Sequence, residues 1–141
     1  MFPCIFLIIQ YSVEKYVIPG STVAELYSGI CVLGLNVAHK AKEVLCSDSN
    51  EYVDEVFDRC ADSLAEMDRE KVFYENLPAE EAVEQGQCED AEILIVDPPR
   101  RGLDAGVVKL LLGKHESATA PKLRRLIYVS CGFEAFERDC K

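Results

Sequence analysis

Two residues in this chain stand where chemistry can be done. Asp97 ends the apolar run Ile93, Leu94, Ile95 and Val96 and opens the loop Asp97-Pro98-Pro99-Arg100; thirty-four positions later, Cys131 follows the run Leu126, Ile127, Tyr128 and Val129. An apolar run that stops at a reactive group is how a buried parallel strand delivers a side chain to the carboxyl edge of a sheet. The spacing therefore predicts Asp97 and Cys131 on neighbouring strand tips. Pro98 and Pro99 lack backbone donors and have fixed φ, so they make a stiff extended loop that can press its carbonyls against the edge of a flat ligand. A carboxylate, a rigid acceptor loop and a thiol facing one crevice suggest nucleophilic chemistry on a planar ring.

The elements that must position these groups alternate along the chain. Strand signals lie at 21–27, 44–48, 71–75, 92–97 and 124–130. Helix signals lie at 32–40, with Leu33, Leu35 and Val37 inward, at 50–66, with Val53, Val56, Phe57, Cys60 and Leu64 at helical spacing, and at 107–112, ended by Gly113. The acidic stretch 78–90 reads as an exposed, partly helical connection. Five strands with helices between them imply an α/β fold, a doubly wound and mostly parallel sheet whose ligands lie where strand order reverses.

The first strand and its turn, residues 25–34, are then the natural cofactor seat. Gly29 lets backbone N–H groups approach a ligand at a helix start, although an ordinary strand-to-helix turn has the same pattern. Asp48, at the second strand's tip, is placed either to accept bonds from ribose hydroxyls or to cap the next helix. Asn76, just past the third strand, fits beside an adenine ring or as a turn residue.

Composition bounds the rest. A chain of 141 residues has room for one core. Its seven cysteines show no paired spacing and no histidines at zinc-finger distance, which favours reduced thiols in an intracellular protein without a metal site. The apolar opening, residues 1–9, is too short to span a bilayer and reads as a helix face or an artefactual start of the chain. The net charge of −10 is uneven: residues 1–94 hold 6 Lys/Arg against 19 Asp/Glu, and residues 95–141 hold 9 against 6. Contact with nucleic acid must come through the basic later half, with Arg100, Arg101, Lys122, Arg124 and Arg125 as candidates; a solvated face with incidental basic residues is the plainer reading.

Five segments together carry a resemblance: Glu25-Leu26-Tyr27-Ser28-Gly29, Asp48-Ser49-Asn50, Phe73-Tyr74-Glu75-Asn76-Leu77, Asp97-Pro98-Pro99-Arg100-Arg101-Gly102-Leu103-Asp104 and Tyr128-Val129-Ser130-Cys131-Gly132-Phe133-Glu134. In this order and spacing they resemble successive motifs of the RNA uracil-5-methyltransferase family, and the tail 129–141 is most similar to the plant and algal branch. The last two segments are specific to that family.

The resemblance implies a Rossmann-like methyltransferase domain with S-adenosylmethionine as methyl donor. It implies Tyr27 and Gly29 near the adenosine, Asp48 on the ribose, Asn76 near the adenine and Asp97 close to the reacting centre. It also implies Cys131 as nucleophile, Pro98, Pro99 and Arg100 against the substrate, and tRNA or rRNA as partner. Carbon 5 of uracil is a poor nucleophile until a thiolate adds to carbon 6, so a cysteine suits the task. A thiol with pKa near ~8.5 is mostly protonated at neutral pH, but a helix starting at Phe133 favours the anion, and Arg100 or Arg101 can add to this.

Departures qualify the match. Cys31 stands where the family's first turn has glycine, and its Cβ is expected to crowd the donor and disfavour positive φ. No counterpart of the upstream glutamine motif lies in residues 1–9, and the family's glutamate base and last strands fall beyond Lys141. Residues 1–18 are therefore expected to be a helix or remnant of a preceding region, and residues 19–141 a partial catalytic domain in which an adduct can form and stall. Two alternatives accompany this reading: a donor-binding remnant that acts as an interaction module, and an amino-methyltransferase that uses the Asp-Pro-Pro loop and needs no cysteine.

Overall fold

The computed structural model describes residues 2–114 and 122–141; of the opening stretch, Met1 lies outside them. Helix α1 (Phe2–Tyr16) leads into β1 (Thr22–Leu26), α2 (Val32–Val37), β2 (Glu43–Ser47), α3 (Asp54–Ala61), α4 (Glu66–Arg69) and β3 (Val72–Glu75). Then follow α5 (Ala79–Glu84), β4 (Ile93–Val96), α6 (Ala105–Leu111), β5 (Arg125–Tyr128) and α7 (Phe133–Asp139). The five strands form one parallel sheet in the order β3-β2-β1-β4-β5. Strand order reverses between β1 and β4, and the crevice above that point is where such sheets bind ligands.

Burial follows from the layers. Every residue of β1 and β4 is buried, because helices cover both faces of the central strands. On one side Val23, Val44, Val72, Ile93 and Ile95 pack with Leu33, Val37 and Phe57, and α1 joins them through Val13, with Val17 just beyond its end. On the other, Ala24, Leu26, Leu94 and Val96 pack with Ala82, Val83, Val107 and Leu110. β5 is the far edge, and Leu126 on it is 40% exposed.

Three expectations are corrected here. The helix read over 50–66 is two, α3 and α4, and Val56 faces solvent beside Asp54 and Glu55. Residues 78–90 are not merely an exposed connection: Ala79, Ala82, Val83 and Cys88 are buried beneath an acidic outer surface. Small residues at these positions let α5 approach the sheet closely while its carboxylates stay wet. The cysteines are not all reduced, since Cys31 and Cys46 are joined as a disulfide, their Cα atoms 6.2 Å apart. No spacing rule announces this pair; parallel pairing of β1 with β2 brings the two together.

Candidate active site

The crevice holds two cavities that share Ser28 and Asp97. The larger, about 450 Å³, is lined by Tyr27, Gly29, Asp48, Pro78, Pro99 and Asp104 among others. The smaller, about 320 Å³ and more apolar, is lined by Ile9, Val32, Leu33, Val129 and Cys131 among others. Asp97 and Cys131 thus face one space, as the two apolar runs predict. Register explains it: Val96 pairs with Tyr128, and the Val129 N–H donates to the Val96 carbonyl at 2.8 Å, so both chains leave the sheet side by side.

The turn after β1 is held from several directions. The Gly29 N–H donates to Asp48 Oδ2 at 2.8 Å, and the Asn50 N–H donates to Asp48 Oδ1 at 2.9 Å. A carboxylate offers about four acceptor positions, so Asp48 keeps capacity toward the larger cavity. Asn76 lines neither cavity; its Nδ2 donates to the Asp48 carbonyl at 3.0 Å and so braces that residue. The Tyr27 hydroxyl donates to Asp104 Oδ2 at 3.0 Å and accepts from the Asp104 N–H at 2.9 Å, which ties the first turn to the proline loop. Burial raises the pKa of that hydroxyl, so it remains a donor.

Beneath the turn lies Glu25, 1% exposed. Burial pushes its pKa up to about 8, against the lowering effect of the Gly34 N–H that donates to Oε2 at 2.7 Å, and the charges of Asp97 and Asp48 add to the rise. The sulfurs of Cys31 and Cys46 lie 3.3 and 3.6 Å from the same oxygen. These three side chains offer ligand atoms within 4.8 Å of one another, but sulfurs joined in a disulfide are not available as thiolates. Gly34 is required here, because a Cβ would fall 2.6 Å from that oxygen.

Cys31 corrects another expectation. It does take the left-handed backbone that favours glycine, φ 60°, yet its side chain is fully buried and lines neither cavity, so it does not crowd a ligand there. The side chain is drawn inward by Glu25 and Cys46. Tyr27 shares the left-handed conformation, φ 57°.

Across the crevice, Cys131 is exposed and sits just before α7. Partial burial raises the pKa of Asp97. Pro99 lines the larger cavity, whereas Pro98 is buried and lines neither. The Arg100 backbone packs on Gly132, where a Cβ would stand 3.3 Å from the Arg100 carbonyl oxygen. Arg101 does not reach toward the thiol: its guanidinium pairs with Asp104 at 2.9 Å. Asp139, missed by motif reading, accepts from the Leu103 N–H at 2.9 Å and from the Tyr128 hydroxyl at 2.7 Å, and so links the proline loop, β5 and α7. The basic half is also partly neutralised, with Lys122 on Asp90 at 2.6 Å and Arg124 on Glu92 at 3.5 Å.

Comparison with known proteins fits this geometry. No family model matches the chain. It is 30% identical over 127 residues, 90% of its length, to an uncharacterized RNA methyltransferase of Protochlamydia amoebophila, and 32% identical over 127 residues, 88% of its length, to the tRNA (uracil(54)-C(5))-methyltransferase of Pyrococcus abyssi. The chain belongs to the RNA methyltransferase family. It spans 31% and 27% of the length of these two relatives. The crystal structure of the Pyrococcus abyssi tRNA (uracil-54, C5)-methyltransferase, in complex with S-adenosyl-L-homocysteine, superposes with a TM-score of 0.70 at 27% identity, over 94% of this chain and 30% of that one. The strand order and the crevice at its reversal are thus those of a Rossmann-like methyltransferase sheet. Among the described residues, no helix is long and apolar enough to cross a membrane.

Proposed function

We propose that this chain carries the donor seat and the nucleophile of an S-adenosylmethionine-dependent RNA uracil-C5 methyltransferase, with a uridine of tRNA or rRNA as acceptor. The single observation that carries the reading is the pair of contiguous cavities, one lined by Gly29 and Asp48, the other by Cys131, with Asp97 on the wall of both.

The donor suits the larger cavity. Its volume is in the range of small-molecule sites, Asp48 retains acceptor positions for two ribose hydroxyls, and Pro78 and Ala79 offer an apolar wall to a purine. S-adenosylmethionine, when bound, supplies an electrophilic methyl group.

Residues of the chain prepare the acceptor. Cys131 Sγ, as thiolate, bonds to carbon 6 of the uracil; the π electrons of the carbon 5–carbon 6 bond move toward the carbon 4 oxygen, and carbon 5 becomes a nucleophile. Once carbon 5 has gained a methyl group, a base takes its proton, the double bond reforms and the carbon–sulfur bond breaks, releasing the thiolate. Asp97, at the junction of the cavities, orients both partners by accepting hydrogen bonds. The apolar wall of Ile9, Val32, Leu33 and Val129 excludes water from the ring.

The test is a mechanism-based adduct. Incubated with S-adenosylmethionine and RNA containing 5-fluorouracil, the protein is expected to form a complex that survives denaturing electrophoresis, because fluorine blocks the final deprotonation. Cys131→Ala should abolish that complex completely. Methylation retained in Cys131→Ala would instead favour the amino-methyltransferase alternative.

A further inference from the structure

Cys131 borders a second space that the donor and the target base do not use. An open-sided hollow of about 370 Å³ lies on its other flank, lined by Tyr128, Ser130, Cys131, Phe133 and Phe136. Three of these five residues are aromatic. The Tyr128 and Phe136 rings meet edge to face, 5.1 Å between centroids, and the Tyr128 hydroxyl is anchored on Asp139, so the floor is fixed. Phe133 and Phe136 are three apart on α7 and share a helix face. Phe136 is half-buried against Tyr128, while Phe133 stands 75% exposed beside the sulfur.

Among the described residues, no core residue covers Phe133. Charge supplies a direction: Arg100, whose backbone abuts Gly132, is exposed and makes no ion pair among the described residues, whereas Arg101, Lys122 and Arg124 are paired. An exposed ring, with an arginine whose backbone abuts the residue before it, suits unpaired nucleotides, which offer a π face and a phosphate together. Ring and sulfur line one hollow, and the Arg100 backbone packs on Gly132 between them.

We propose that the hollow is a nucleobase platform: Phe133 stacks on the base flanking the target uridine in single-stranded RNA, and Arg100 contacts the adjoining phosphate. The proposal rests on the uracil-C5 methyltransferase reading and assigns the neighbour of its substrate base a place. Stacking with the flanking base would leave the target base free to enter the cavity between Asp97 and Cys131.

Fluorescence anisotropy with a short fluorescein-labelled oligouridine tests this. Phe133→Ala and Phe133→Leu should each weaken binding about 5- to 100-fold, Phe133→Trp should preserve it, and a duplex RNA probe should not distinguish the variants. Arg100→Gln should weaken oligouridine binding and reduce the slope of log affinity against log salt by about one. Circular dichroism and the thermal shift given by S-adenosylhomocysteine should be unchanged in every variant. Wild-type affinity in Phe133→Leu would overturn the platform, as would a wild-type protein that binds no oligouridine. If Phe133 governs affinity but no Cys131 adduct forms, the methyltransferase reading fails and the platform stands; the reverse pattern removes the platform alone.

Discussion

Around β1 and β2 the reactive edge is braced from beneath, whereas at β4 and β5 it is held from the side. On the first side Asp48 receives two backbone N–H groups, Glu25 sits buried under the turn, and a disulfide joins that turn to β2. On the second, among the described residues, Cys131 and Phe133 are exposed, β5 is the outermost strand, and Asp139 links the proline loop to Tyr128. Under the proposed function the bracing of the first side suits a donor seat, which must be preorganised to orient its ligand.

If the two sides are separate functions, their variants should separate too. The largest effect belongs to Cys131→Ala, which should abolish the fluorouracil adduct and leave the thermal shift given by S-adenosylhomocysteine intact; loss of that shift would mean the sides are one unit. Next is the disulfide. Reduction with a dithiol should lower unfolding free energy by about 3 kcal/mol, the value for a closed loop of this size, in urea titrations. Within that effect, Cys31→Gly should be less damaging than Cys46→Ala by about 1 kcal/mol, because glycine relieves the left-handed backbone at φ 60°.

Asp48→Ala is the converse of the cysteine variant. It should weaken S-adenosylhomocysteine binding about 10- to 100-fold by calorimetry, from loss of hydrogen bonds to a charged acceptor, while the rate of Cys131 alkylation stays at the wild-type value. Smallest is the effect of Glu25. Folded Glu25 keeps its proton up to about 8 and the unfolded chain releases it near 4.5, so its stabilising contribution is complete below pH 4.5 and disappears as pH rises through 8. Glu25→Gln, which keeps the acceptor for the Gly34 N–H, should flatten that decline and leave the protein more stable than the parent at alkaline pH. A urea midpoint with the same pH dependence in both proteins would remove Glu25 as its source.

Much of the fold was legible because its signals are local. The runs 93–96 and 126–129 read as strands from apolar continuity, and Gly113, at φ 66°, ended α6 as its type suggests. Asp97 and Cys131 were legible for the same reason, each lying within two residues of the end of such a run. Less could be read where two patterns competed. In 50–66, apolar positions at helical spacing suggested one helix, but the chain breaks near Ser63, whose hydroxyl donates to the Cys60 carbonyl, and Val56 is left outside. In 78–90 a high density of carboxylates hid an alanine-rich inner face.

The sequence by itself determined the order of strands and helices, the strand ends that carry Asp97 and Cys131 and the glycine-bearing turn after β1, because each depends on neighbours close along the chain. Only the tertiary structure decided which distant residues meet: Cys31 with Cys46 over Glu25, Tyr27 with Asp104, Asn76 beneath Asp48, and Asp139 against Leu103 and Tyr128. Those partners are chosen by parallel pairing across crossovers, in which residues far apart in sequence share a strand register, and no local pattern encodes that choice.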